Sequence, residues 1–98
     1  MLLPKMHVET AANGHLTLSW PDAGPLFYRA LLVRLRLLHG LRRSGRSVES
    51  PDAVLLPDLV GNGIRLLTGW DHWSGYSLLA VDQAVDDMLR RLSGRMTV

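Results

Sequence analysis

The spacing of apolar residues along this chain switches between a period of two and a period of about 3.6, and that switching restricts the fold more than any other feature. Over residues 5–20, Met6, Val8 and Thr10 alternate with Lys5, His7 and Glu9, and Leu16, Leu18 and Trp20 alternate with His15, Thr17 and Ser19. This is the pattern of a half-buried hairpin. A two-residue Asn13-Gly14 turn would set the two apolar faces against each other. A three-residue loop, Ala12-Asn13-Gly14, instead pairs Val8 with Leu18 and Met6 with Trp20 and gives Gly14 the left-handed bulge position. The three-residue loop is preferred.

Pro25 suits the first position of a helix, and the apolar period then carries it to about Ser44, with Gly45 as its cap. Gly40 lies inside that span and costs about 1 kcal/mol relative to alanine, so fraying after Leu38 stays open. Residues 51–60 begin like a helix at Ser50-Pro51-Asp52, yet Pro57 cannot donate a hydrogen bond in mid-helix. A single helical turn and a short edge strand fit this segment equally well. Ile64 to Trp70 and Tyr76 to Val81 read as an antiparallel pair, with Leu66, Thr68 and Trp70 on one face beside Tyr76, Leu78 and Ala80. The last helix is capped by Asp82, stopped by Gly94, and carries Val81, Val85, Met88, Leu89 and Leu92 as one stripe. Asp86 with Arg90 and Asp87 with Arg91 have i,i+4 spacing. Together these elements predict one α+β domain over residues 1–98, in the order β-β-α-β-β-α, with the short extra segment at 51–60. The expected architecture is a four-stranded antiparallel sheet with two long helices packed on one face.

Composition removes several classes of function. The 98 residues contain no cysteine, which excludes disulfides, thiolate metal sites and cysteine nucleophiles. Apolar runs reach only four residues, as in Ala30 to Val33, so no segment is long enough to span a bilayer. Met1 to Lys5 lacks the apolar stretch of a secretory signal, so a soluble cytoplasmic protein without a membrane partner is expected. The isoelectric point of 9.7 overstates the charge, which is only +2. Residues 1–50 hold seven basic and three acidic side chains, a net +4, whereas residues 51–98 hold four and six, a net −2. Ten of the eleven basic residues are arginine and Ile64 is the sole isoleucine, a bias that fits a GC-rich bacterial genome.

Two constellations bear on function. On the first helix, Arg29, Arg36 and Arg43 recur every seven residues and would form one ridge with guanidinium groups about 10 Å apart, a spacing that can follow phosphates. The rest of that helix is apolar around far more than a third of its circumference, which predicts cover by the 51–60 segment or by a second subunit. The second constellation is the loop from Trp70 to Tyr76. It gathers Trp70, Asp71, His72, Trp73 and Tyr76 between glycines and suits an interaction site. His72 with Asp71 is a poor general-base pair, since adjacent residues seldom orient one another, and Asp71 with Ser74 also fits a plain turn. His7, His15, His39 and His72 have no metal-ligand spacing, and neither a metal nor a cofactor is implied. The favoured reading is a non-catalytic interaction protein, self-associating as a homodimer or binding another protein. A nucleic-acid binder using the arginine ridge is the alternative, and a small ligand-binding or enzymatic domain around Trp70–Tyr76 is the second.

Overall fold

The computed structural model describes residues 4–96; Met1 to Leu3, part of the stretch scanned for a signal, and residues 97–98 lie outside it. The elements are β1 (His7–Thr10), β2 (Leu16–Trp20), α1 (Pro25–His39), β3 (Arg42–Ser44), β4 (Val48–Glu49), β5 (Ala53–Gly61), β6 (Ile64–Asp71), β7 (Gly75–Ala80) and α2 (Gln83–Met96). One antiparallel sheet runs β1-β2-β7-β6-β5-β3, with β4 also paired to β5. The expected four-stranded sheet with two long helices on one face is therefore overturned, because the sheet has seven strands among the described residues. Of the three added strands, β3 and β5 come from two places where the sequence pattern misleads, and the two-residue β4 comes from the polar stretch between them.

The first is the end of α1. Gly40 adopts φ 64°, and the amides of Gly40 and Leu41 both turn back to the Arg36 carbonyl, closing the helix in a left-handed cap. Leu41 is buried beyond that cap, and residues 42–44 continue as β3 rather than as helix. The second is residues 51–60, which form most of β5. Leu56 pairs with Thr68 and Leu59 with Leu66, so three steps on β5 oppose two on β6 and a bulge falls at Pro57. β4 pairs with residues 54–55 and β3 with residues 58–60, so Pro57 sits where neither neighbour needs its missing N–H. The Thr68 hydroxyl donates to the Pro57 carbonyl at 2.9 Å and fastens the bulge.

The first hairpin takes the expected register, and the second presents the expected faces. Val8 faces Leu18, and the Gly14 amide donates to the Ala11 carbonyl with Gly14 at φ 83°, as a three-residue loop requires. Leu66 faces Ala80, Thr68 faces Leu78 and Trp70 faces Tyr76. The same parity crosses to β2, where Leu18 meets Leu78 and Trp20 meets Tyr76. The core forms where Leu18, Leu66, Leu78 and Ala80 meet Tyr28, Leu31 and Leu35 of α1 and Val85, Met88 and Leu89 of α2. Each such buried leucine contributes roughly 1.5–3 kcal/mol relative to exposure. Among the described residues no helix is long and apolar enough to cross a membrane.

At α2 the Asp82 carboxylate caps the Val85 amide at 3.0 Å, but Gly94 does not stop the helix, which runs to Met96. Nor does Asp86 pair with Arg90. It is buried, accepting the Leu16 amide at 2.7 Å and standing 2.8 Å from His15 Nδ1. Asp87 bonds Arg90 at i,i+3 instead of Arg91. The His15 contact and the Leu16 amide hold the Asp86 carboxyl below its ordinary value of 3.8. A depressed carboxyl stabilises the fold above its unfolded pKa and loses that contribution as pH falls through its folded one. Asp86→Ala is accordingly expected to lower the thermal midpoint at pH 7, with the gap to the parent narrowing below about pH 4; thermal melts across pH 2.5–7 measure it.

Candidate functional site

α1 lies over the sheet but leaves a wedge above its β5 side, a cavity of about 490 Å³. Sheet parity builds the floor. Thr68, Trp70 and Tyr76 project to the helix side, joined by Leu56 and Leu59 from β5. Tyr28 and Leu32 of α1 close the inner wall.

Tyr28 fixes this wall to the floor. Its hydroxyl donates to the Ser77 carbonyl at 2.5 Å and accepts the Gly69 amide at 3.1 Å, so one oxygen bridges paired residues of β6 and β7. The Tyr28 and Tyr76 rings stack with centroids 4.5 Å apart. Burial pushes the Tyr28 phenol well above its ordinary range, so it stays neutral and serves as a strut rather than a base.

Arg29, Arg36 and Arg43 all line this cavity, although not as a ridge on one helix. Arg43 lies on β3, opposite Leu59, because α1 ends at Gly40. The expected single helical ridge is thus corrected: two arginines come from α1, the third arrives from the sheet edge, and together they ring a hollow. No carboxylate lines the cavity, and among the described residues none of the three makes an ion pair. The Arg36 Nε is buried without a hydrogen-bond partner. An orphaned buried donor costs about 1–3 kcal/mol, and more on a charged group.

The Trp70–Tyr76 loop is divided by the fold. Trp70 and Tyr76 face the cavity. Asp71 Oδ1 accepts the Trp73 and Ser74 amides at 2.9 and 2.6 Å, which makes it a turn residue. His72 and Trp73 stand outside, Trp73 at 75% exposure, with their rings edge-on at 5.8 Å. Among the described residues no acid partners the His72 ring, so the loop assembles no acid–base pair. Among the described residues no group of three or more His, Asp or Glu gathers as a metal site needs.

A second hollow, about 580 Å³, separates α1 from α2. Leu35, Leu38, Met88 and Leu92 give it apolar walls, and Arg34, Arg91 and Arg95 line it, again with no carboxylate. Sequence reasoning missed Tyr28, Thr68 and this second arginine group. A phenol among the leucines of a helix was the available signal, since a buried tyrosine hydroxyl requires a partner. No protein-family model, curated protein or solved structure matches the chain.

Tyr28→Phe leaves the Ser77 carbonyl and the Gly69 amide without their bridge. It is expected to reduce stability by about 1–3 kcal/mol in urea unfolding, with an unchanged m-value.

Proposed function

We propose that this protein is a non-catalytic binding domain for a small amphipathic anion, held between α1 and the sheet. The ligand would have a flat or aliphatic body and a carboxylate or phosphate head. The observation that carries this reading is the ring of Arg29, Arg36 and Arg43 around an aromatic floor with no carboxylate, Arg36 Nε being buried and unpartnered. Trp70 and Tyr76 supply broad apolar area, and the guanidinium forks suit planar oxyanions. A bound anion would satisfy the Arg36 donor and relieve the mutual repulsion of three like charges.

The nucleic-acid alternative draws less support. It needs guanidinium groups in file along one helix, whereas two of the three lie on α1 and the third on β3, around a concavity. A catalytic reading around the Trp70–Tyr76 loop has no acid–base pair there to build on among the described residues, Asp71 being taken up by the turn amides. Self-association keeps a motive in the exposed outer face of α1, where Leu26 and Leu37 are 80% and 81% exposed.

The test compares 1-naphthyl phosphate with 1-naphthol by isothermal titration calorimetry. The phosphate is expected to bind at least tenfold more tightly, and Arg36→Gln to remove about tenfold of that affinity, as for a charged hydrogen bond. Equal binding of the two probes, or no effect of Arg36→Gln, removes the reading.

A further inference from the structure

The outer face of α1 contributes to neither hollow at its two most exposed positions, Leu26 and Leu37. Leu26, Ala30, Val33 and Leu37 follow at spacings of four, three and four, so they form one apolar line along the helix. All four are exposed. The line follows the convex outer side of α1 between the two hollows, with Val33 at the rim of the first and Ala30 at the rim of the second. Arg29 and Arg36 lie on one flank with Arg43 beyond them; Arg34 lies on the other with Arg91 and Arg95 beyond it. Among the described residues none of these six makes an ion pair, and α1 contains no carboxylate.

We propose that this ridge docks the protein on an anionic lipid surface, with Leu26, Val33 and Leu37 entering the headgroup boundary and the flanking arginines meeting lipid phosphates. This is attachment to one leaflet, distinct from spanning, and it does not rest on the cavity reading. Three features select a bilayer over other occupants. A two-fold contact between copies through α1 would bring Arg29, Arg34 and Arg36 of one copy beside those of the other, with no acid on either helix to neutralise them. A protein partner would need an acidic groove shaped to a convex ridge, whereas a fluid leaflet conforms to it. Apolar insertion and basic charge on both sides are the two signals that together hold a peripheral helix at a membrane.

The experiment is flotation of the full chain with vesicles of phosphatidylcholine alone and of phosphatidylcholine with 30% phosphatidylglycerol. Binding is expected to the anionic vesicles at low ionic strength, to weaken as salt screens the arginines, and to be absent on the neutral ones. Leu26→Ser with Leu37→Ser changes only solvent-facing side chains. This double variant is expected to retain the parent circular dichroism and its 1-naphthyl phosphate affinity while losing at least tenfold in vesicle binding. Arg34→Gln and Arg91→Gln, both away from the first cavity, should each cost about fivefold. No binding to anionic vesicles, equal binding to neutral ones, or unchanged binding of the double leucine variant overturns the proposal. So does a dimer in light scattering that the double variant dissolves in the absence of any vesicle binding, since the ridge would then belong to a second copy.

Discussion

The carbonyl oxygen of Gly40 lies so close to Gly61 that a Cβ at residue 61 would stand 2.6 Å from it. Around that contact the end of α1 and the β5–β6 turn form a single joint. Asn62 Nδ2 donates to the His39 carbonyl, satisfying one of the carbonyls that a helix end leaves open. Gly40, at φ 64°, supplies the left-handed residue that lets the chain leave the helix there. The joint sets how α1 rides over the sheet, and so how wide the wedge beneath it is. It also releases residues 42–44 to become β3, which brings Arg43 into the company of Arg29 and Arg36.

Much of the sheet was legible because alternation fixes parity without knowledge of the partner strand. Val8 against Leu18 followed from side-chain period and loop length, and the shared face of Thr68 and Leu78 from period alone, while their direct pairing is given by the structure. The first helix was less legible because its leucines surround it. With Leu26, Leu31, Leu35 and Leu37 all apolar, the inner side could not be told from the outer. The structure buries Leu31 and Leu35 and exposes Leu26 and Leu37. β5 was concealed for a different reason. Pro57 argues against a paired strand, and its tolerance depends on a bulge and on a gap between β3 and β4, both consequences of tertiary pairing.

The candidate site shows the same division. Arg29, Arg36 and Arg43 were identifiable by spacing, but the spacing suggested a line whereas the fold makes a ring. Trp70 and Tyr76 were identifiable by clustering, and cross-strand pairing separates them from Asp71, His72 and Trp73, which turn outward or bond the turn. The burial of Asp86 beside His15 was invisible locally, since the i,i+4 rule offers Arg90 as a partner and only the packing of α2 against β2 supplies another.

That contact between residues 15 and 86 joins positions 71 apart in the chain, and β2 pairs with β7 across more than half its length. The β1–β2 hairpin leaves the ribosome before β7, and its inner edge has no neighbour in the sheet until β7 has emerged. At roughly 5–20 residues per second, the wait before β7 arrives is several seconds. During that interval Leu18 and Trp20, wholly buried in the finished protein, remain uncovered. Synthesis therefore leaves an open strand edge until late, and the sheet closes from its middle only after the last strand is free.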